Sequence, residues 1–342
     1  FMTRIYIIRH AEAEGNLYRR IHGQYDSLVT PLGYRQIQAL EKRFQDIHLD
    51  AVYSSDLTRT CTTAGAICAP KGLPLHRERR LREIGCGVWE NTPFAEFARR
   101  DPKSSYDFSH HPTTWRAEGS EPFAVYTGRF LQALREIAER HAGQTVALFS
   151  HGMVLRGSLQ TLFFPEDENA VQHCENTAVT HVLYENGAFR LDYLNDDSHI
   201  TPEISTVGRQ KWWRGGDHND FNMWYRDAAP GDAELLHALA IRPGSRRVRI
   251  ALLHETPVGA AAFDGADGLL HDLALLPEQR GRGLSPQLLG EAISLCRTAG
   301  ARTLRLDRQP EDPAARALFA AYGFAGRPGV LDLQPKVVWP EL

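Results

Sequence analysis

The sequence contains few cysteines: five among 342 residues, scattered along the chain, with no pair in C-x-x-C spacing. An odd number without pairing argues against a disulfide framework and against a zinc site. Neither sign of charge prevails, since 39 Lys and Arg residues face 42 Asp and Glu residues, for a formal net charge of −3. No global basic field therefore points to nucleic acid or an anionic membrane as a partner.

Long apolar runs are also missing, because no stretch approaches the ~20 residues that a membrane-spanning helix needs. The amino-terminal stretch lacks the basic and then apolar profile of a signal peptide. Together with the scattered cysteines, these absences predict a cytoplasmic protein. What remains is ordinary for a globular chain with a normal core, at 42% hydrophobic and 24% charged residues.

The first part of the chain alternates segments of strand and helix character. Predicted strands cover residues 3–8, 50–54 and 145–149, and predicted helices cover residues 31–44, 56–69 and 121–141. Two β-like runs, 178–184 and 189–194, flank the tripeptide E-N-G and predict a hairpin. Strands separated by helices of this length indicate a mainly parallel sheet with helices on both faces.

The length of the chain, about twice that of a typical domain, predicts two domains. The periodic pattern is lost at about residues 198–219, so we place a first domain at 2–200, a linker at 201–221 and a second domain at 222–342. The second part is predicted to be α+β. Its strands lie at about 223–226, 248–253, 258–263, 269–276, 303–307 and 330–333, and its helices at 232–240, 286–298 and 313–322.

Four segments of the first part end in side chains that are typical of anion sites. These side chains are Arg9, His10, Arg59, Glu83 and His151. Because the carboxyl ends of parallel strands meet at one edge of a sheet, we expect them to lie together there. Taken singly, each is more often a solvated or capping residue than a functional one, so the prediction depends on the five occurring together.

This set of side chains suits phosphoryl transfer. Enzymes accelerate that reaction largely by positioning the group and stabilising the charge on its oxygens, which the planar fork of arginine does well. A neutral imidazole attacks phosphorus in line, and a nearby carboxylic acid protonates the leaving oxygen. The scheme needs no metal ion.

Four stretches in this order also carry a family resemblance. They are R-H-A-E-A-E-G-N from residue 9, S-S-D-L-T-R-T from 54, L-R-E-I-G-C-G-V-W-E from 81, and S-H-G from 150. The first part, over roughly residues 2–197, resembles the histidine phosphatase superfamily, whose fold is the three-layer phosphoglycerate-mutase-like α/β sheet. Ala11 stands where that family usually has glycine.

The resemblance implies a role for each matched residue. His10 is the phosphorylated nucleophile, Glu83 is the proton donor, and Arg9, Arg59 and His151 bind the phosphoryl group. Asn16 and Gly152 belong to the substrate-binding set. We therefore predict a phosphoric monoester hydrolase of the histidine acid type, which acts without a metal or other cofactor on a small phosphorylated metabolite.

A phosphoglycerate mutase is the alternative within the same family. Mutases of the family retain a bisphosphorylated intermediate with extra cations from a basic insertion after the proton-donor motif. The corresponding segment here, residues 91–112, has some basic residues without the matching pattern. We therefore favour hydrolysis.

A glycine-rich turn in the second part joins a predicted strand to a predicted helix. The turn R-G-R-G-L-S places backbone amides at a helix amino terminus, where the helix dipole favours an anion such as a pyrophosphate. An ordinary tight loop explains the same composition. Ser285 followed by Pro286 predicts a helix N-cap with proline at the first helical position.

Three stretches, L-A-L-L-P-E-Q-R-G-R-G-L-S, A-R-T-L-R-L-D and D-P-A-A-R-A-L-F-A-A-Y-G-F, give the turn a context. Residues 222–342 resemble the GNAT-type N-acetyltransferases, which implies an α+β acetyltransferase-like fold and acetyl-CoA or CoA as ligand. The matched cofactor-binding residues are Leu275, Arg280, Gly281, Arg282, Gly283, Leu284 and Ser285. Ser285 departs from the Gly or Ala of the family motif, and Phe319 stands where the family's general-acid tyrosine is expected.

The sequence thus predicts a metal-independent phosphatase fused to an acetyl-CoA-dependent N-acetyltransferase or a CoA-binding domain. Its expected partners are a phosphorylated metabolite and acetyl-CoA, with no nucleic acid and no membrane. A different class of function remains open, namely a regulatory protein whose second domain only senses acyl-CoA, because Phe319 leaves the thiolate without its usual proton donor.

Overall fold

A computed structural model describes residues 1–167, 169–210, 217–242 and 244–334. Twelve strands of the described residues form two six-stranded sheets, one for each part of the chain. The mixed α/β class and the separate second sheet confirm the predicted fold class. Among the helices that the structure describes, none combines the length and the apolar character needed to cross a bilayer.

The first sheet has the strand order β3-β2-β4-β1-β5-β6. Its strands are β1 (Thr3–Arg9), β2 (Ala51–Ser54), β3 (Leu75–Arg77), β4 (Thr145–Ser150), β5 (Val179–Glu185) and β6 (Ala188–Asp196). The first four strands in this order run parallel, whereas β5 and β6 are antiparallel additions at one side. The carboxyl ends of β1, β2, β3 and β4 therefore share one edge.

Helices cover both faces of this sheet. They are α1 (Glu14–Tyr18), α2 (Pro31–Phe44), α3 (Thr58–Lys71), α4 (Phe94–Arg100), α5 (Pro102–His110), α6 (Phe123–Arg140), α7 (Gly152–Phe163) and α8 (Thr206–Arg209). Alternate residues of β1 divide between two apolar clusters: Ile7 packs with α6 and α7, and Ile8 packs with α2 and α3. Burial on both faces explains why β1 reads as a continuous apolar run.

Local signals set the bounds of several elements. Helix α2 begins at Pro31 because the Thr30 hydroxyl accepts a hydrogen bond from the Gly33 amide at 3.1 Å, as an N-cap does. Strands β5 and β6 are joined by Asn186 and Gly187, with φ of 53° and 81°. These two residues form the tight turn that the E-N-G tripeptide predicts.

The second sheet has the order β12-β11-β10-β9-β8-β7. Its strands are β7 (Trp224–Asp227), β8 (Arg247–Leu253), β9 (Thr256–Asp264), β10 (Leu269–Leu275), β11 (Thr303–Leu306) and β12 (Val330–Asp332), and its helices are α9 (Ala233–Ala238), α10 (Ser285–Thr298) and α11 (Pro313–Ala321). Only Leu269 and Leu270 of β10 pair with β11 in the described residues, in parallel register. Strand β11 ends at Leu306, opposite Leu270, so the rest of β10 has no strand partner on that side among the described residues.

The two parts of the chain pack together through α1 and α10. Tyr18 of α1 lies within the apolar core of the second part, at 5% exposure. A Cβ on Gly290 of α10 would meet the Tyr18 side chain at 2.4 Å, so glycine is what allows the two helices to approach. The Arg297 guanidinium of α10 pairs with the Glu14 carboxylate at 2.9 Å.

The segment after β6 continues along the first domain. Gln36 of α2 donates to the Ile204 carbonyl and the Thr206 hydroxyl, both at 2.9 Å. This part of the predicted linker thus packs against α2. Residues 211–216 of the same segment lie outside the described residues.

Candidate active site

Parallel pairing of β1 with β4 brings two histidines together. Arg9 is in register with Ser150, and the His10 amide donates to the Ser150 carbonyl at 3.0 Å. The next residue along β4 is His151, whose ring centroid lies 5.3 Å from that of His10. The strand ends therefore do converge in the way the sequence predicts.

His10 has a defined tautomer. Its Nδ1 lies 2.7 Å from the Ala11 carbonyl oxygen, and a carbonyl only accepts, so Nδ1 carries the proton. The other ring nitrogen, Nε2, has no hydrogen-bond partner among the described residues. Burial, followed by the charges of Arg59 and Arg9, holds the pKa of His10 well below its usual value. A neutral imidazole with a free Nε2 lone pair is a competent nucleophile.

His151 is fully buried and held by Ser55. Its Nε2 lies 2.8 Å from the Ser55 hydroxyl, which itself accepts from the Leu57 amide at 3.3 Å. The Ser55 hydroxyl can accept from Leu57 and donate to His151 Nε2 at the same time, and in that tautomer the neutral ring carries its proton on Nδ1. That Nδ1 is buried and has no hydrogen-bond partner among the described residues. In this tautomer it is a donor available to an oxygen placed beside His10.

Two buried arginines flank the histidines. Arg59 is 1% exposed and donates to main-chain carbonyls, among them those of Gly23 at 2.6 Å and Tyr25 at 2.9 Å. Arg9 donates to the Cys174 carbonyl, and its Nε is a buried donor without a hydrogen-bond partner among the described residues. Both guanidinium groups lower the pKa of His10 through their charge, which places positive charge where phosphoryl oxygens would lie.

Glu83 lies at the amino terminus of α7. Its carboxylate accepts from the amides of Met153 at 2.9 Å and Val154 at 2.7 Å. Burial raises the pKa of Glu83, although these hydrogen bonds and the nearby Arg59 charge act in the opposite direction. A carboxyl group with a raised pKa keeps its proton to higher pH, as a general acid requires.

Asn16 and Gly152 also lie near this edge. Asn16 caps α1, since its Oδ1 accepts from the Ala13 amide at 3.0 Å. A Cβ on Gly152 would lie 3.3 Å from Arg9 Nε, so glycine lets the guanidinium rest against the start of α7. The geometry assembles all seven predicted residues, and their roles stay predictions.

Three further side chains support this arrangement and were missed by the sequence analysis. Asn176 donates to the His10 carbonyl at 2.9 Å, and His173 Nε2 lies 3.4 Å from Arg9 Nη1. Arg129 donates to the Glu83 carbonyl at 2.8 Å and so fixes the segment that carries the carboxylate. They lie in an irregular stretch or on a helix with no motif, so no local signal identifies them.

Several histidines of the first domain are held neutral, which predicts acid lability. Burial lowers the pKa of His10, His22, His151 and His173 well below 6.5, and that of His199 to about 4. The folded state therefore binds fewer protons than the unfolded state, so stability present above pH 6.5 is lost as the pH falls toward the folded values. Each fully buried ring contributes up to about 1.4 kcal/mol per pH unit.

We expect the melting temperature of the ligand-free protein to decrease steadily between pH 7.5 and pH 5.5. Differential scanning calorimetry measures this, with His48→Gln as control, because the His48 side chain is 82% exposed. A melting temperature that stays constant over that range would contradict the buried neutral histidines.

The glycine-rich turn precedes α10 with an open backbone. Gly281 and Gly283 have φ of 73° and 77°, and a Cβ at either position would meet no atom within 4 Å. Arg280 Nε donates to the Leu275 carbonyl at 3.3 Å, and Leu284 is buried at 1% exposure. The Arg280 amide donates to the Pro277 carbonyl at 3.2 Å, whereas the amides of residues 281–285, at the start of a 14-residue helix, have no hydrogen-bond partner among the described residues.

The prediction that Ser285 is the N-cap of the helix after the glycine-rich turn is wrong. Helix α10 begins at Ser285, with Leu284 in the cap position and no side-chain cap. The Ser285 hydroxyl lies 3.2 Å from the Tyr322 hydroxyl, which explains why it does not cap the helix. Phe319, one turn earlier in α11, packs edge-on against Phe324 at a centroid distance of 5.2 Å.

Comparisons with known proteins match both parts of the chain. The model of the histidine phosphatase superfamily (branch 1) matches residues 5–197, and that of the acetyltransferase (GNAT) family matches residues 212–324. Phosphoserine phosphatase 1 of Hydrogenobacter thermophilus is 32% identical over 155 residues, covering 45% of this chain and 74% of that protein. A probable phosphoglycerate mutase GpmB of Yersinia pestis is 32% identical over 185 residues, covering 54% and 86%.

A solved structure extends the similarity to the fold. The YhfR protein of Bacillus stearothermophilus superposes with a TM-score of 0.56 at 30% identity, covering 58% of this chain and all of that one. The two relatives and this structure match at most 58% of the chain, whereas the two family models together account for both parts. The chain therefore belongs to the histidine phosphatase superfamily and carries a GNAT acetyltransferase-family domain on the same polypeptide.

Proposed function

We propose that the first domain hydrolyses a small phosphomonoester through a phosphohistidine at His10. The observation that carries this proposal is the state of the imidazole: Nδ1 donates to the Ala11 carbonyl, and Nε2 has no partner in the described residues. The low pKa of His10 keeps that lone pair available at neutral pH.

The proposed reaction has two steps. In the first, His10 Nε2 forms a bond to phosphorus while the bond from phosphorus to the leaving oxygen breaks, and the Glu83 carboxyl gives that oxygen its proton. In the second, the Glu83 carboxylate takes a proton from water, which attacks phosphorus and releases phosphate and free His10. The charges of Arg9 and Arg59 and the Nδ1 proton of His151 stabilise the phosphoryl oxygens in both steps.

Hydrolysis is favoured over mutase chemistry by the segment that follows Glu83. In α4, the Arg99 guanidinium pairs with Glu96 at 3.0 Å and lies 4.2 Å from the Trp224 ring centroid. The Arg100 guanidinium lies 5.1 Å from the Trp89 ring centroid. These cations are engaged in packing against aromatic rings, which supports a site that holds one phosphoryl group rather than two.

The test is a panel of phosphorylated metabolites, with phosphoserine and 3-phosphoglycerate included because the similar proteins carry those names. We expect release of free phosphate from one substrate class without added metal. Transfer of phosphate between positions of phosphoglycerate, with no free phosphate, would support the mutase alternative and overturn the hydrolase proposal.

The second domain belongs to a family that binds acyl-CoA in general, and we propose that it binds acetyl-CoA or CoA. The loop from Arg280 to Ser285 would hold the pyrophosphate, since its amides lie at the start of α10. The open edge of β10 beyond Leu270 would pair with the extended arm of the cofactor. We keep residues 2–200 and 222–342 as the proposed domains and the cytoplasm as the proposed location, which the five unpaired cysteines support.

Tyr322, the tyrosine nearest in sequence to Phe319, is the alternative general acid for acetyl transfer. Its position favours ligand binding over catalysis in this domain. Its hydroxyl contacts Ser285, on the side where β10 leads into the glycine-rich loop after Leu275. Pairing of β10 with β11 stops at Leu270, so the open edge of β10 begins at His271, four residues before Leu275. At about 3.3 Å per residue, these two ends of the open edge are roughly 13 Å apart. Acetyl transfer is therefore the second candidate, and a thiol-release assay with a panel of amines distinguishes a transferase from a binding domain.

Replacing Gly283 with valine is expected to weaken acetyl-CoA binding by at least about tenfold. An L-residue is strained at the φ of 77° found there, so the loop must turn its amides away from the ligand. Loss of a single hydrogen bond to a charged group is worth about 1.5–3 kcal/mol. Isothermal titration calorimetry measures the dissociation constant.

The matched control is Gly187→Val in the turn between β5 and β6. Gly187 has a φ of 81° and equally open surroundings, so the local backbone strain is comparable while the site is remote. Equal affinities for acetyl-CoA in wild type and in Gly283→Val would exclude this loop as the pyrophosphate site.

A further inference from the structure

A cavity of about 340 Å³ lies between the two domains. One wall comes from the first domain and the segment that follows it, and includes Leu17, Arg19 and Arg209; the opposite wall includes Arg282, Gly283 and Tyr322. Its volume falls within the range of small-molecule sites, about 300–1,000 Å³. Neither domain forms this cavity alone, and neither family model covers both of its walls.

The cavity carries an excess of positive charge. Three arginines and a single carboxylate, that of Glu12, line it. Both Glu12 oxygens already accept hydrogen bonds, from the Thr30 hydroxyl at 2.6 Å and the Thr206 hydroxyl at 2.9 Å. A recess lined mainly by cations concentrates anions.

Two of the three arginines form no ion pair in the described part of the chain. Arg209 donates to the Glu203 carbonyl at 2.6 Å, and Arg282 donates to the Asp220 carbonyl at 3.1 Å and to the Gln279 side chain. Arg209 also interacts through its charge with Glu12, but this single carboxylate does not balance the three guanidinium groups of the cavity. These groups are therefore disposed to bind an anionic ligand, above all a phosphate.

Part of the remaining lining is apolar and suits a flat ring. Leu17, Pro31, Leu32 and Leu318 contribute aliphatic surface, and Leu318 is one of the few large apolar side chains that are exposed, at 38%. Aliphatic walls with cations at two sides match a molecule that joins a heterocycle to phosphate groups.

The cavity is continuous with the proposed pyrophosphate loop, since Arg282 and Gly283 belong to both. We propose that this cavity holds the phosphorylated adenosine end of CoA, with Arg209 of α8, in the segment that follows the phosphatase domain, at the 3′-phosphate. The proposal rests on the proposed binding of CoA by the second domain. It makes the phosphatase domain one half of the acyl-CoA site.

The experiment is calorimetric titration of the full chain with CoA, with dephospho-CoA, which lacks only the 3′-phosphate, and with inorganic phosphate. The variants are Arg209→Ala and the control Arg190→Ala, an exposed arginine on β6 far from the cavity. Because Arg209 is exposed, its replacement leaves the fold intact, and a thermal melt verifies this.

We expect the wild type to bind CoA about tenfold more tightly than dephospho-CoA. Arg209→Ala should abolish that difference by weakening CoA alone, and Arg190→Ala should preserve it. A purely structural role of Arg209 would weaken both ligands equally and overturn the proposal. Inorganic phosphate that binds in an Arg209-dependent manner without competition from CoA would overturn it as well.

The same titrations show separately whether the second domain binds CoA at all. If the wild type binds neither CoA nor dephospho-CoA, the proposed function of the second domain is wrong, and the inference is wrong with it. If both bind with equal affinity and Arg209→Ala changes neither, the second domain binds CoA and only the role of the cavity is excluded.

Discussion

Replacing His10 with alanine is expected to lower kcat for phosphate release by about 10⁴-fold or more. Removal of the nucleophile from an enzyme that works through a covalent intermediate leaves only the rate supplied by binding and by the remaining electrostatic groups. The Arg9, Arg59 and His151 side chains stay in place, so KM should change much less than kcat. A selective loss of kcat is the result that distinguishes a nucleophile from a residue that only binds substrate.

The measurement has two parts, steady-state phosphate release and chemical trapping of the intermediate. Rapid quenching of the wild type with labelled substrate should leave label on the protein that is lost in acid and kept in base, as expected of a phosphohistidine. His10→Ala should show no such label. His48→Gln, at an exposed position on the same domain, should retain full kcat and full labelling.

Retention of activity by His10→Ala within tenfold of wild type would contradict the proposed mechanism. A folded protein is a condition of the test, because His10 is 6% exposed and its replacement leaves a small void. The near-ultraviolet circular dichroism of the variant, compared with the wild type, verifies the packing around the site.

The convergence of the catalytic candidates could be predicted because it follows from topology. Once β1 and β4 are recognised as parallel strands, Arg9 and Ser150 must lie side by side at their carboxyl ends, and His10 and His151 follow. The bounds of α2 could be predicted equally well, because Thr30 and Pro31 are local signals of a helix start. In both cases the information lies within a few residues of the feature.

The tautomer of His10 and the second set of supporting residues could not be predicted. The Nδ1 hydrogen bond to Ala11 depends on the backbone conformation after β1, and no sequence pattern specifies it. Asn176 reaches His10 across 166 positions of the chain. Contacts of this kind exist only after the sheet has formed, so local sequence carries no signal for them.

The contact between the two domains could likewise not be predicted from the sequence. Helix α1 has five residues and α10 was predicted only as the helix that follows the glycine-rich turn. Their contact is nevertheless adjacent to the candidate site. Arg297 of α10 reaches both Glu14 and the Tyr25 hydroxyl, at 3.3 Å, and the Tyr25 carbonyl accepts from Arg59. The second domain thus supports the loop that positions Arg59.

Replacing Glu291 with glutamine is expected to lower the free energy of unfolding by about 3–5 kcal/mol, because it breaks a buried ion pair from one side. Glu291 lies on α10 at the domain interface, with its carboxylate 2.7 Å from Arg20 of the first domain and 2.9 Å from Arg249 of β8. The side chains of Arg20 and Glu291 are only 8% and 5% exposed. The substitution leaves the Arg20 guanidinium buried without a counter-charge among the described residues, whereas Arg249 keeps the Asp227 carboxylate at 3.1 Å.

Urea unfolding of the full chain, followed by tryptophan fluorescence, measures this loss. Asp107→Asn is the control, because its partner Lys103 is 85% exposed and such surface pairs contribute little. The double variant Arg20→Met with Glu291→Met should be more stable than Glu291→Met alone, since it removes a buried charge together with its partner. If Glu291→Gln unfolded at the same urea concentration as Asp107→Asn, the interface would not depend on this ion pair, and the close association of α1 with α10 would have to rest on Tyr18 and its apolar neighbours.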